Sequence, residues 1–208
     1  MTTAPGTLSI DLREGRRVTV SRRTRETDIT LTLDLDGTGL TDVRTGVGFY
    51  DHLLGSFAHH GLFDLSVGVT GDLDVDEHHT VEDVALVLGG ALAEALGDRA
   101  GICRFGEASV PMDEALATAV VDVGGRPYAV VDIPFRGERV GVLPTQLVEH
   151  ALEAFARTSG TTLHLRASGR NDHHVAEASF KALGRALRAA VAPDARRSGA
   201  ASTKGSLG

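Results

Sequence analysis

The sequence predicts an α+β fold built from two fused, similar half-domains. Three observations carry this. Segments in which apolar and polar residues alternate recur along the chain. Four stretches with helical spacing interrupt them. A His-His-x-x-Glu motif opens a helical stretch twice, at His78–Glu82 and His173–Glu177. Internal duplication accounts for all three.

Taken in order, Val18 to Thr24 and Ile29 to Leu35 alternate as strands, and Asp36-Gly37-Thr38-Gly39 marks a turn. Phe49, Leu53, Leu54 and Phe57 lie on one face of a helix that stops at Gly61. Leu62 to Thr70 alternates again. An acidic loop, Gly71 to Glu77, leads into a long helix from His78 to Leu96, whose stripe runs through Val81, Val84, Ala85, Leu88, Leu92 and Leu96. Strands follow at Glu107 to Pro111, Leu116 to Asp122 and Tyr128 to Phe135. Gln146 to Arg157 reads as an amphipathic helix and Thr161 to Ala167 as a strand. His173 to Ala192 is the last helix, stopped by Pro193.

The two halves match in detail. His79 is followed nine residues later by Leu88-Gly89 and then Ala91-Leu92; His174 is followed nine residues later by Leu183-Gly184 and then Ala186-Leu187. Upstream, Asp51-His52 matches Glu149-His150, each on a helix. The offset is 95 to 98 residues.

Composition limits what such a protein does. With 208 residues and 42% apolar content, the chain can bury a sizeable core. Glycine, 25 of 208, exceeds the usual ~7% and implies many turns. One cysteine excludes an intramolecular disulfide framework and a cysteine-based zinc cluster. No segment reaches the ~18 apolar residues of a membrane span, and Met1 to Gly6 lacks the pattern of a secretory signal. A reducing cytoplasm is therefore expected. The net charge of −7 argues against general nucleic-acid binding. It sits unevenly: residues 1–104 carry 17 acids and 9 bases, residues 105–208 carry 11 acids and 12 bases. The arginines near the start (Arg13, Arg16, Arg17, Arg22, Arg23, Arg25) are expected to form a solvated strand face.

Six of the nine histidines fall in the repeat: His52, His78, His79, His150, His173 and His174. Residues i and i+4 share a helix face, so His78 with Glu82, and His173 with Glu177, can each grip one ion. Adjacent histidines point about 100° apart around a helix. Each His-His pair is therefore expected to split between two metal sites. Six histidines and two glutamates give four ligands per site. Nitrogen and oxygen donors without sulfur suit manganese, iron, cobalt, nickel or zinc. His59, His60 and His164 lie outside the pattern and are expected to be structural.

The segments Phe49-x-Asp-His52, Asp76-x-His-His-Thr-Val-Glu-Asp83, Pro111-Met-Asp-Glu-Ala115, and Asn171-x-His-His-x-x-Glu177 with Phe180-Lys181-Ala182 resemble those of the imidazoleglycerol-phosphate dehydratases. The resemblance runs from about Val18 to Leu207. It implies duplicated half-domains of the ribosomal protein S5 domain 2-like kind. It further implies a 24-subunit homo-oligomer with sites shared between subunits, and two Mn2+ per active site. The implied reaction removes water from D-erythro-imidazole glycerol phosphate to give imidazole acetol phosphate, in L-histidine biosynthesis. No carbonyl activates the carbon-bound proton, so the imidazole ring must take up the charge; two metals on its nitrogens would stabilise it as an imidazolate.

On this basis His52, His79, His173 and Glu177 are assigned to one metal, and His78, Glu82, His150 and His174 to the other. The resemblance makes Glu26, in Arg25-Glu26-Thr27-Asp28-Ile29, the candidate acid–base group or extra metal contact. Asp113 is a candidate for the substrate hydroxyl or for holding a ligand, and Asp83 for orienting a ligand histidine. Glu26, Asp113, Glu82 and Glu177 make up the expected catalytic set. Arg104, Arg126, Lys181, Ser202 and Lys204 are the expected phosphate contacts. The expected organisation is an N-terminal extension (1–15), a first half (16–104), a second half (105–197) and a phosphate-contacting tail (198–208). A dinuclear hydrolase and a non-catalytic metal-storing cage could use the same ligands; turnover of imidazole glycerol phosphate separates them.

Overall fold

A computed structural model describes residues 6–205 and Leu207. The first half runs β1 (Ser9–Glu14), β2 (Arg17–Arg23), β3 (Thr27–Asp34), β4 (Thr41–Arg44), α1 (Gly48–Gly61), β5 (Asp64–Gly71) and α2 (His78–Leu96). The second runs β6 (Phe105–Met112), β7 (Ala115–Asp122), β8 (Tyr128–Asp132), the short pair β9 (Arg139–Val140) and β10 (Leu143–Pro144), α3 (Thr145–Ser159), β11 (Thr162–Ser168) and α4 (Asp172–Val191).

The duplication is visible in the sheets. Their strand orders are β1-β2-β3-β5-β4 and β6-β7-β11-β8. In the first, β3 is antiparallel to β5 and β4 runs parallel to β5. In the second, β7 is antiparallel to β11 and β8 runs parallel to β11. Without β1 the two sheets have the same topology, so the protein is an α+β fold of two similar halves.

Alternation sets the layers. In β3, Thr27, Ile29, Leu31 and Leu33 are buried; in β7, Ala115, Ala117, Ala119 and Val121 are. Each sheet turns that face to its own helices: α2 packs on β2 and β3, α4 on β6 and β7. The helices then meet across the halves, α1 against α4 and α2 against α3. Two glycines permit this approach. A Cβ at Gly184 would lie 2.2 Å from the Phe57 carbonyl oxygen of α1, and one at Gly89 would lie 2.5 Å from the Phe155 carbonyl oxygen of α3. These are the two glycines of the sequence repeat.

Four strands go beyond the sequence expectation. β1 lies inside the expected N-terminal extension, of which residues 1–5 fall outside the described residues. It pairs with β2 across an irregular register, and most of its residues are exposed, so it carries no core-facing stripe to detect. β4 has four residues and β9–β10 two each, too few for a period. The arginines near the start are not all solvated either. Arg16 donates to the Val191 carbonyl, 2.9 Å, and Arg22 pairs with Asp83, 2.6 Å.

Candidate metal centre

The helix pairs that cross the halves carry the histidines. On α4, Asn171 caps the first turn by accepting from the His173 N–H, 3.0 Å, which sets where His173 and Glu177 emerge. On α2, Asp76 accepts from the His78 N–H, 2.8 Å. His52 comes from α1, and Asp51 beside it accepts from the Thr45 backbone and hydroxyl at the start of that helix. His150 comes from α3.

Two groups of three ligands result. His52, His173 and Glu177 form one, at the α1–α4 junction; His78, Glu82 and His150 form the other, at the α2–α3 junction. In each, the ligand atoms lie within 4.8 Å of one another. In the first group, Glu177 Oε2 lies 2.8 Å from His52 Nε2 and 3.1 Å from His173 Nε2. The Phe49 ring packs on His173, centroids 4.9 Å apart. In the second, Glu82 lies 3.3 Å from His150 Nε2 and 3.9 Å from His78 Nε2. His150 Nε2 is buried without a hydrogen-bond partner. A bare imidazole nitrogen facing a carboxylate fits a cation.

Each glutamate also has a cationic side chain. Lys181 Nζ lies 2.7 Å from Glu177 Oε1, and Arg157 lies 3.1 Å from Glu82 Oε1. Burial pushes the Glu177 carboxyl up, but hydrogen bonds from Lys181 and His52 outweigh it and hold it at about 2.

Within each His-His pair the rings are near perpendicular, and one of the two, His78 or His173, faces the ligand group of its own helix. Among the described residues, neither His79 nor His174 joins a group of three. His79 Nδ1 bonds Asp72 Oδ2 at 2.9 Å, and its Nε2 faces Glu26 at 3.8 Å. His174 Nδ1 bonds Glu114 Oε2 at 2.9 Å, and its Nε2 faces Asp113 at 3.9 Å. Glu26 projects from the turn between β2 and β3, a turn closed by Thr24, whose hydroxyl accepts from the Glu26 and Thr27 N–H groups. Asp113 occupies the β6–β7 turn in the left-handed region, φ 49°.

Two further expectations change. Asp83 does not orient a histidine: it is buried, forms an ion pair with Arg22 and accepts from the Thr27 hydroxyl, which ties α2 to the first sheet. Lys181 does not join the other expected phosphate contacts, because an i+4 position on α4 brings it to Glu177 instead. The others line one cavity of about 390 Å³ with Phe105, Gly124, Ala201, Thr203 and Leu207. There Arg104 forks onto Asp122, 2.7 and 2.8 Å, and donates to the Ala201 carbonyl, 2.6 Å, which seats the tail. Arg126 is 70% exposed, 3.8 Å from Asp122, so its charge remains available.

Asp72, Glu114, Asp122 and Arg157 were not singled out by sequence. Asp72 is one of several acids in its loop, and Glu114 stands beside the more conspicuous Asp113. Asp122 ends a strand, and Arg157 lies in an ordinary amphipathic pattern. Only the fold shows what each one faces.

These features define a duplicated α+β enzyme with two nitrogen-and-oxygen ligand sets at the seams between its halves. The family model described as imidazoleglycerol-phosphate dehydratase matches residues 45–187. An imidazoleglycerol-phosphate dehydratase of Methanoculleus marisnigri is 57% identical over 188 residues, 90% of this chain and 97% of that protein. One from Dinoroseobacter shibae is 52% identical, covering 92% of this chain and 100% of that protein. Among solved structures, the Pyrococcus furiosus enzyme superposes with a TM-score of 0.78 at 36% identity, covering 90% of this chain and 99% of that one. The Staphylococcus aureus enzyme gives 0.74 at 36%, covering 80% and 95%. The chain belongs to the imidazoleglycerol-phosphate dehydratase family. It is a carbon–oxygen hydro-lyase of histidine biosynthesis, which rules out the hydrolase and storage alternatives. No described helix is long and apolar enough to cross a membrane.

Proposed function

We propose that this chain dehydrates D-erythro-imidazole glycerol phosphate to imidazole acetol phosphate with two Mn2+ per active site. The observation that carries the metal reading is the pair of equivalent three-ligand groups, one containing a buried imidazole nitrogen with no hydrogen-bond partner. His52, His173 and Glu177 would hold one ion, and His78, Glu82 and His150 the other. His79 completes the first set and His174 the second, each reaching a neighbouring copy in a 24-subunit homo-oligomer. Bound metal supplies Lewis acidity toward the substrate's imidazole ring.

The protein's own groups divide the remaining work. Glu26, half exposed beside His79, is the acid–base candidate. As base it takes the carbon-bound proton, as acid it returns that proton to the departing hydroxyl, which leaves as water, and the enol product tautomerises to the ketone. Asp113, 81% exposed beside His174, is free to accept from a substrate hydroxyl. Arg126, Lys204 and Ser202 bind the phosphate, in a cavity whose tail Arg104 holds in place. Lys181, beside Glu177, offers a further cation to the substrate. The functional units are the halves 16–104 and 105–197 and the tail 198–208, in which Ser206 and Gly208 lie outside the described residues. The working compartment is the cytoplasm.

Metal stripping tests the reading. Removal of divalent metal by a chelator should abolish formation of the product, followed by its ultraviolet absorbance, and Mn2+ should restore it. Full turnover by metal-free protein would overturn the proposal.

A further inference from the structure

His79 and His174 differ from the other four repeat histidines in a second respect. Among the described residues, they are the ones bonded through Nδ1 to a carboxylate, Asp72 and Glu114, both at 2.9 Å. A carboxylate can only accept, so each Nδ1 carries the hydrogen. A neutral ring then has a bare Nε2. Among the described residues that Nε2 has no hydrogen-bond partner: the nearest carboxylates, Glu26 and Asp113, stand 3.8 and 3.9 Å away.

Duplication does not explain this likeness. Asp72 follows β5, whereas Glu114 lies in the turn between β6 and β7. Equivalent histidines thus obtain the same bond, at the same nitrogen, from non-equivalent places. Convergence of that kind points to a need of the histidines themselves rather than to inherited topology. The Asp72 carboxylate also gives up hydration for this contact: its other oxygen is buried with no partner.

We propose that Asp72 and Glu114 are positioning residues that fix the ring orientation and tautomer of His79 and His174, so that each presents Nε2 as a metal donor. The inference rests on the reading of those histidines as ligands. Asp83, the carboxylate that sequence favoured for such a part, is occupied by Arg22 and Thr27. Glu114 additionally accepts from the Arg170 and Asn171 N–H groups, which couples the β6–β7 turn to the start of α4.

Mn2+ titration of the metal-stripped full chain, monitored by calorimetry beside thermal melting, tests the proposal. Removing an outer carboxylate of this kind typically costs ~10–100-fold in metal affinity. Asp72→Ala, whose side chain makes no other hydrogen bond among the described residues, should weaken Mn2+ in the set His79 completes by that factor with little change in melting temperature. Glu114→Ala should do the same for the other set but melt earlier. Glu114→Gln, keeping an acceptor oxygen for the backbone, should recover the melting temperature and part of the affinity. Mn2+ affinity within threefold of the parent in both alanine variants would overturn the inference. His79→Ala separates the two levels: unchanged affinity there overturns the ligand reading itself, whereas lost affinity there beside normal affinity in Asp72→Ala overturns only the positioning role.

Discussion

The groups around Glu177 and Glu82 descend from the same motif and differ in surroundings. Glu177 is 7% exposed, with two imidazole nitrogens and a lysine within 3.1 Å. Glu82 is more open: its histidines stand at 3.3 and 3.9 Å, and its cationic partner Arg157 is 60% exposed. The source of the cation is part of the difference. Lys181 lies on the same helix as Glu177, and its Nζ also approaches the Met112 sulfur at 3.7 Å, whereas Arg157 reaches Glu82 from another helix. Helical spacing thus pairs each motif histidine with its glutamate, and the environment sets how closely the group is held.

The strongest test of that comparison removes both glutamates in turn. Glu177→Gln and Glu82→Gln should each lower kcat/KM by at least ~100-fold, because metal Lewis acidity is worth several kcal/mol. Steady-state kinetics on metal-replete protein measures it. If only one variant loses activity, the sets are functionally unequal. Truncation before Ser202 leaves both groups intact and should raise KM about tenfold or more with kcat much less affected, since it removes phosphate contacts. An unchanged KM would remove the tail from the site.

The seams should be sensitive as well. Gly184→Ala and Gly89→Ala push a methyl into a backbone carbonyl, so each should destabilise the fold by ~1–3 kcal/mol in chemical denaturation. A smaller contrast separates the cations. In metal-free protein, Lys181→Met should cost about 1.5–3 kcal/mol, as expected for a sheltered charged hydrogen bond, and Arg157→Ala less than ~1 kcal/mol, as for a surface pair. Equal losses would show that the two sets are held alike.

A last effect is in acid. Glu177 ionises at about 2 in the folded protein, below the ordinary value of ~4.3 for an unfolded chain. The folded state therefore favours the ionised form. That stabilisation is complete above the unfolded value and fades as pH falls from ~4.3 toward 2. Melting temperatures of metal-free protein across this window should fall, and less steeply in Lys181→Met, where the carboxylate has lost its main partner.

Sequence carried the argument furthest where a period or a repeat was involved. The helices bearing His78–Glu82 and His173–Glu177 were legible because an apolar stripe and an i,i+4 spacing are local properties. β1 and β4 were not, since an exposed edge strand or a four-residue strand has no stripe to betray it. The same limit applied to the carboxylates. Asp83 looked suited to orient a histidine because it adjoins Glu82, yet on the helix it points to Arg22 and Thr27 of the first sheet.

By itself, then, the chain determined a duplicated α+β architecture and singled out eight candidate donors in its repeated motifs and lone helix histidines. Both follow from residue spacing, which acts over one or two helical turns. Tertiary structure decided which donors meet. Close packing at Gly184 and Gly89 brings α1 to α4 and α2 to α3, so His52 joins Glu177 across 125 residues and His150 joins Glu82 across 68. It also turned His79 and His174 away toward Asp72 and Glu114, because adjacent residues on a helix cannot face the same point.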